Sequence, residues 1–153
     1  MEKIKWEVSS FDGLDIESLY RILRLRSEVF VVEQNSIYLD LDDKDQRSLH
    51  VQAFLDGEFI AYCRLFKAGD YFDEACIGRV VIPKQFRSKG YGHILMDKAI
   101  ELMASILNEH NITISAQLYL QGFYDKHGFV KVSDPYLEDG IPHIRMKRVF
   151  QAG

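Results

Sequence analysis

A short basic loop with two glycines most restricts what this chain can fold into. The loop reads Arg87-Ser88-Lys89-Gly90-Tyr91-Gly92, between an apolar segment that stops at Pro83 and a predicted helix that begins near His93. Glycine lets backbone N–H groups approach an anion without a Cβ in the way, and a helix N-terminus adds unpaired N–H groups and positive dipole charge. A strand, this loop and a helix in that order predict an α/β domain with a phosphate site.

The spacing of the loop excludes two common nucleotide-binding motifs. It matches neither the Gly-x-Gly-x-x-Gly of dinucleotide-binding proteins nor the Gly-x-x-x-x-Gly-Lys-Ser/Thr of P-loop proteins. Taken alone, the loop is also compatible with a plain glycine turn that carries solvated charges.

Periodic apolar segments on both sides of the loop predict a mixed sheet with covering helices. The first helix is predicted from Ile16, Leu19, Tyr20, Leu23 and Phe30, which recur at helical spacing, with Asp12 or Asp15 as its cap. The other predicted elements are strands at 4–8, 75–82, 112–116, 129–132 and 143–149, a hairpin of 51–55 and 59–66 around Asp56-Gly57, and helices at 93–108 and 118–126.

Length and composition predict one domain over residues 1–153. The chain has 153 residues, against about 150 for a typical domain, and 47% of them are apolar, which suits a packed core. The longest unbroken apolar run, Phe59 to Cys63, is far shorter than the roughly 20 residues of a membrane-spanning helix. No membrane segment is expected.

The net charge, the N-terminal residues and the positions of the cysteines restrict which binding partners and which cellular compartment are expected. A net charge of -4 opposes general nucleic-acid binding, which depends on neutralising phosphates. The charged start Met1–Trp6 lacks the apolar centre of a secretory signal, which favours a cytoplasmic location. Cys63 and Cys76 lie in apolar stretches, so we expect buried free thiols rather than a disulfide or a zinc site.

The pattern Arg-x-x-Gly-x-Gly between a strand and a helix resembles the pyrophosphate loop of the GCN5-related N-acetyltransferases, the GNAT superfamily. The segment Phe123–Phe129 resembles the Tyr-x-x-x-Gly-Phe motif of that family, and Gln117 stands where the family usually has Asn. The segments that resemble the ElaA-like branch in particular are 26–34, Tyr38, Asp42, Asp45, His50, 77–80 and 138–143. One departure is Ser36-Ile37, where that branch commonly has Cys-Pro.

The resemblance implies a mixed, largely antiparallel sheet with a splay between the fourth and fifth strands, and acetyl-CoA as co-substrate in the opening. It implies no metal. A backbone N–H near Val81 would polarise the thioester carbonyl. The cofactor-binding residues that it implies are Val80, Val81, Ile82, Arg87, Ser88, Lys89, Gly90, Tyr91, Gly92, Gln117 and Tyr124.

The resemblance also implies that Tyr124 is the general acid for the departing thiolate, although a core tyrosine is the competing interpretation. The base that accepts the amine proton is left open by the pattern. Its candidates are Glu33, His50, Glu138 and His143, each of which also fits a structural role.

An acidic run lies beside the expected entrance for the acceptor. Residues 40–45 contain four Asp, which would attract an ammonium group; a solvated turn and a metal loop are the alternatives. Arg26 and Arg79, in apolar surroundings, are expected to pair with these or other acids.

The function expected from the resemblance is transfer of acetyl from acetyl-CoA to an unidentified amine, on a small molecule or a peptide, by direct attack. The alternative is a non-catalytic acyl-CoA-binding sensor or interaction module on the same fold. Homodimerisation is left open.

Overall fold

A computed structural model describes residues 3–150 of the chain. Its strands are β1 (Lys5–Ser10), β2 (Leu49–Leu55), β3 (Glu58–Phe66), β4 (Ala75–Val81), β5 (Ile112–Gln117), β6 (Val130–Lys131), β7 (Tyr136–Glu138) and β8 (Ile141–Arg148). Its helices are α1 (Ile16–Arg26), which continues as a π-helical segment Ser27–Glu33, α2 (Tyr91–Ser105) and α3 (Gln121–Asp125). None of the helices in the described residues is long and apolar enough to cross a membrane.

The strands form one sheet in the order β1-β2-β3-β4-β5-β8-β6, and β7 pairs with β8 outside this path. All neighbours are antiparallel except β4 and β5, which run parallel. Their pairing is confined to Ala75 with Ile112 and Cys76 with Thr113. Beyond these residues β4 and β5 separate, so the predicted mixed sheet and its splay are confirmed.

Strand side chains alternate between the two faces of the sheet, so each face presents side chains that must be covered. A different helix covers each face. Helix α2 packs Leu95, Met96 and Met103 into the larger core, which includes Ile114 and Ala116 of β5. Helix α1 and its π-helical extension pack Ile22, Leu25 and Val29 onto the opposite face, against Tyr62 and Val81.

Helix α1 forms where the apolar spacing predicted it, but the spacing does not identify its buried face. The Asp15 side chain caps the helix by accepting a hydrogen bond of 2.7 Å from the Ser18 N–H. Ile16 and Tyr20 are 88% and 71% exposed, whereas Ser18 and Arg26 are buried. The reason is that β2 and β3 present buried polar side chains to α1, namely His50, Gln52 and Arg64.

The predicted hairpin of β2 and β3 is confirmed. Asp56 and Gly57 both have positive φ, of 51° and 81°, as a two-residue turn of this kind requires. The sequence analysis missed β7, although Asp139 and Gly140 repeat the same signal with φ of 51° and 78°. β7 is three residues long and lacks a clear alternating pattern, so the turn was its one local signal.

Candidate active site

A cleft of about 410 Å³ opens where β4 and β5 separate. Of the residues singled out from the sequence, it is lined by Glu33, Tyr38, Arg79, Val80, Val81, Ile82, Arg87, Gly92, Gln117, Tyr124, Glu138 and His143. Residues from the two faces of the sheet therefore meet in one opening. The basic loop contributes its first and last residues to the wall.

Strand β4 is irregular at the point where it borders the cleft. Tyr62 and Arg64 of β3 pair with Val81 and Gly78, so β4 contains one extra residue in this interval. Such a bulge leaves a residue unpaired and bends the strand. Within it, Arg79 adopts a left-handed φ of 51°, a strained conformation for a residue with a side chain.

The edge of β4 that faces β5 is without a strand partner from Ile77 onward within the described residues. Buried backbone N–H and C=O groups require hydrogen-bond partners, so this edge can accept an extended ligand rich in amides. The carbonyl of Ile82 at its end accepts a hydrogen bond of 2.9 Å from the Arg87 Nε.

The two glycines of the basic loop act in different ways. Gly90 precedes α2 with a φ of 86°, a conformation that side chains rarely adopt, yet a Cβ there would meet nothing within 4 Å. At Gly92 a Cβ would lie 3.2 Å from the ring of Phe123. Gly90 is thus needed for the turn that exposes the first N–H groups of α2, and Gly92 for close packing of α2 against α3.

Arg87 and Glu33 form an ion pair across the mouth of the cleft. The guanidinium donates to both carboxylate oxygens, at 2.5 and 2.9 Å. The hydrogen bond from Arg87 lowers the pKa of Glu33 below its usual value. Glu33 is therefore an ionised partner of Arg87 rather than a free proton acceptor.

Four polar side chains contact one another on the α1 side of the sheet and form a group that we call the open cluster: Ser115, Tyr136, Glu138 and His143. Of these, Ser115, Glu138 and His143 line the cleft. His143 donates from Nδ1 to the Ile141 carbonyl at 2.7 Å, which leaves the lone pair of neutral imidazole on Nε2. This Nε2 lies 3.3 Å from a carboxylate oxygen of Glu138. The other Glu138 oxygen accepts from Ser115 at 3.2 Å.

Tyr124 reaches the cleft from the opposite face, where it belongs to the core under α2. Its ring packs edge-on against Phe123 and Phe129. Burial raises the pKa of its phenol well above the usual value. Its hydroxyl forms no hydrogen bond with any other group in residues 3–150, so this oxygen is free to contact a ligand.

Two other sequence candidates are placed differently. His50 lies outside the cleft, fully buried, with Nδ1 2.7 Å from the Tyr62 hydroxyl and Nε2 2.9 Å from the Asp45 carbonyl. Burial lowers its pKa, and it is a structural residue rather than a base in the cleft. Gln117 lines the cleft, but its amide is paired with that of Gln34, at 3.1 Å.

Most carboxylates of the acidic run form ion pairs with arginines inside the protein. Three of its carboxylates and three guanidiniums form a group that we call the closed cluster: Arg26, Asp40, Asp42, Asp45, Arg64 and Arg79. Five of its ion pairs measure 2.5 to 2.9 Å, and a sixth, between Arg79 and Asp42, measures 3.6 Å. The expectation that these three carboxylates attract a cationic acceptor is wrong, because arginines already neutralise them.

The pairing expected for Arg26 and Arg79 is confirmed, and Arg64 is a partner that the sequence analysis missed. Both cysteines are free and buried, as expected. In residues 3–150, no three His, Cys, Asp or Glu side chains are grouped so that they could hold a metal ion.

Comparison with known proteins decides the family. Residues 17–150 match the acetyltransferase (GNAT) domain. The chain belongs to the GNAT acetyltransferase family. Among its GNAT relatives, protein ElaA of Escherichia coli strain K12 is 38% identical over 152 residues, which cover 97% of this chain and 99% of the relative.

Two solved structures share the fold along nearly the whole chain. An acyl-CoA N-acyltransferase from Pseudomonas aeruginosa superposes with a TM-score of 0.88 at 38% identity, covering 96% of this chain and 100% of the other. Escherichia coli ElaA superposes with a TM-score of 0.87 at 36% identity, covering 95% and 99%. The resemblance read from the sequence motifs is confirmed at the level of the family.

Proposed function

We propose that this protein transfers an acetyl group from acetyl-CoA to an amine by direct attack in the cleft between β4 and β5. One observation carries the proposal. The cleft brings an unpaired phenol hydroxyl, Tyr124, and an imidazole beside a carboxylate, His143 and Glu138, to opposite sides of an unpaired strand edge.

The cleft suits the donor substrate. The unpaired edge of β4 at residues 77–82 matches the alternating amides of pantetheine, which would complete the ladder there. The N-terminus of α2 and the loop Arg87–Gly92 favour the pyrophosphate. The acyl-CoA N-acyltransferase from Pseudomonas aeruginosa, 38% identical, supports acyl-CoA as the donor.

His143 is the proposed acceptor of the amine proton. Its Nδ1 is occupied by the Ile141 carbonyl, so a proton can be taken up only at Nε2, where the Glu138 carboxylate stabilises the resulting imidazolium. Glu33 is less suited to this role, because its carboxylate is paired with Arg87.

Tyr124 is the proposed donor to the departing thiolate. Burial raises the pKa of its phenol, so the hydroxyl keeps its proton until a strong base forms beside it. A thiolate released in the same cleft is such a base, and proton transfer from the phenol prevents it from attacking the product.

The proposed reaction balances without a covalent enzyme intermediate. The amine nitrogen attacks the thioester carbonyl carbon, the C–N bond forms and the C–S bond breaks. His143 takes one amine proton, Tyr124 supplies one proton to the thiolate, and exchange with solvent restores both side chains. The products are the acetylated amine and free CoA.

Two measurements test the proposal. Saturating CoA should raise Tm by roughly 5–10 °C, because ligand at about 100 times Kd adds about 2.7 kcal/mol, whereas adenosine without phosphates should leave Tm unchanged. Acetyl-CoA with a panel of amines should then release free thiol and yield an acetylated product by mass spectrometry.

The two measurements together separate the alternatives. A Tm that rises with CoA but no turnover on any amine would favour the non-catalytic sensor. A Tm that does not move at millimolar CoA would remove the basis for both functions.

A further inference from the structure

Arg64, in the closed cluster, has one nitrogen without a hydrogen-bond partner. Its Nη1 and Nη2 donate to Asp42 and Asp45 at 2.5 to 2.9 Å. The rings of Phe66 and Tyr71 lie 5.0 and 5.7 Å from its guanidinium carbon. The side chain is 1% exposed, yet its Nε forms no hydrogen bond within residues 3–150. An unpaired, buried N–H of a charged group is costly, so we expect a partner from outside the chain there.

This Nε lies beside Gly78, which pairs with Arg64 across β3 and β4 and lines the cleft. A Cβ at Gly78 would lie 3.9 Å from the Nε and, apart from its chain neighbours, would meet no other atom within 4 Å. The φ of Gly78 is outside the left-handed range, so the backbone does not require glycine at this position. What glycine provides is space, because it leaves the cleft open as far as the N–H of Arg64.

Arg79, the next residue of β4, brings a second donor to the same wall of the cleft. Its Nε and Nη2 donate to the side chain and the carbonyl of Asp40, at 2.8 and 3.0 Å, whereas its Nη1 donates no hydrogen bond within the described residues. Its left-handed φ of 51° lies in the bulge, and strained residues of this kind concentrate at ligand sites. Arg64 and Arg79 both approach Oδ2 of Asp42, at 2.5 and 3.6 Å, so these two side chains, which we call the arginine pair, are neighbours.

The opposite wall of the cleft presents carboxylates. Glu138 and Asp139, in the hairpin of β7 and β8, line it, and within residues 3–150 neither side chain forms an ion pair with a lysine or an arginine. Strand β8 is two strands away from β4 in the sheet, a backbone separation of at least about 10 Å. Side chains that extend from both walls leave a gap in which one small molecule can meet a cation on one side and an anion on the other.

We propose that the acceptor is a small amino acid, bound with its amine beside Glu138 and His143 and its carboxylate on the arginine pair. This inference rests on the proposed function and leaves its reaction step unchanged, so the products are an N-acetyl amino acid and free CoA. A carboxylate suits the arginine pair better than a neutral oxygen, because hydrogen bonds between ionised groups are roughly twice as strong as neutral ones. A diamine suits it worse, since its second ammonium would meet the guanidinium of Arg79.

The test uses glycine, β-alanine and 4-aminobutyrate, each with its own amide, and putrescine as a diamine. Each amino acid differs from its amide in the carboxylate alone. The ammonium of the amide is the more acidic, so intrinsic reactivity favours the amide and cannot produce a preference for the acid. Values of kcat/KM come from thiol release, and the products are identified by mass spectrometry. We expect at least one amino acid to exceed its amide, and putrescine, by about tenfold or more, as one charge-assisted hydrogen bond contributes.

Two variants test the arginine pair. Gly78→Ala places a methyl group on the approach to Arg64 and leaves every ion pair in place. Arg79→Lys removes Nη1 and keeps a cation for Asp40. In both, the acid-to-amide ratio of kcat/KM should fall toward one, through a higher KM for the amino acid. The ratio cancels any general change in rate. The matched control, Gly13→Ala, adds the same methyl group ahead of α1 and should keep the wild-type ratio.

The remaining outcomes separate this inference from the proposed function. Equal kcat/KM for acid and amide in every pair, or putrescine as the best substrate, overturns the inference and leaves acetyl transfer standing. A preference for the acid that Gly78→Ala and Arg79→Lys both retain places the carboxylate elsewhere and also overturns the inference. If no amine is acetylated, binding decides. An amino acid that raises Tm of the CoA-loaded protein more than its amide does, in the wild type but not in Gly78→Ala, supports the carboxylate site and overturns the proposed function.

Discussion

The closed cluster and the groups of the cleft are both dense in ionisable side chains, yet they differ in what they leave free. In the closed cluster the carboxylate groups are each bonded to a guanidinium, at distances down to 2.5 Å. In the cleft, the Tyr124 hydroxyl has no partner in the described residues, and the Nε2 of His143 faces a carboxylate that could share its proton. The closed cluster also contains one buried atom without a partner, the Nε of Arg64, but a guanidinium N–H neither accepts nor gives up a proton at ordinary pH. The comparison teaches that accessible groups able to transfer a proton, rather than the number of charges, separate a reactive site from a structural one.

The largest effect is expected in the cleft, where Tyr124→Phe should lower kcat. The ring keeps its packing, and no hydrogen bond of the protein is lost, so kcat should fall by about 10²–10⁴-fold while Tm and CoA affinity stay as in the wild type. Tyr20→Phe, which removes an exposed hydroxyl on α1, is the matched control. Unchanged kcat in Tyr124→Phe across pH 6–9 would contradict its role.

In the closed cluster, Arg26→Met should lower the free energy of unfolding rather than kcat. Asp40 and Asp45 would each lose one of two guanidinium partners while staying buried, which costs about 3–5 kcal/mol and lowers Tm by roughly 6–20 °C. Lys5→Met, at an exposed pair with Glu7, should cost less than about 1 kcal/mol. Equal losses in the two variants, measured by urea unfolding, would show that burial of the pair is unimportant.

His143→Gln tests the other free atom of the cleft. Glutamine can still donate to the Ile141 carbonyl but accepts no proton, so we expect kcat to fall by about 10²-fold while CoA affinity stays as in the wild type. The exposed His110→Gln is the control. If kcat of His143→Gln equals that of the wild type, the amine proton goes to another group.

The smallest effect concerns acid stability of the closed cluster. Burial alone would raise the pKa of Asp42, but hydrogen bonding and charge from Arg64 outweigh it and lower the pKa to about 2. The carboxylate therefore stabilises the fold above pH 4, and this contribution, roughly 2 kcal/mol, is lost as the pH falls from about 4 to 2. Urea unfolding of wild type and Asp42→Asn should give free energies that converge by this amount over that interval, and a constant gap would refute the assignment.

Local sequence signals predicted much of the secondary structure and the part of the cleft proposed to bind acetyl-CoA. The Asp56-Gly57 turn, the Asp15 cap and the loop around Gly90 each depend on backbone conformations that the residues themselves prefer. The splay of β4 from β5 came from the family resemblance, and the bulge at Arg79 has no local signal.

Tertiary structure decided which residues form the part of the cleft proposed to bind the amine. Whether His50 or His143 lines the cleft depends on where its strand lies in the sheet, because β8 is next to β5 at the opening whereas β2 is separated from β5 by β3 and β4, and both residues stand in similar apolar strands. The partners of Asp40 lie 14 and 39 residues away, at Arg26 and Arg79, so no local pattern could show that the acidic run is neutralised. The sequence by itself determined where the chain turns and where it can hold a phosphate, because φ preferences act within a few residues. Only the packed structure decided which polar atoms are left without a hydrogen-bond partner, because burial and ion pairing arise between segments that meet on folding.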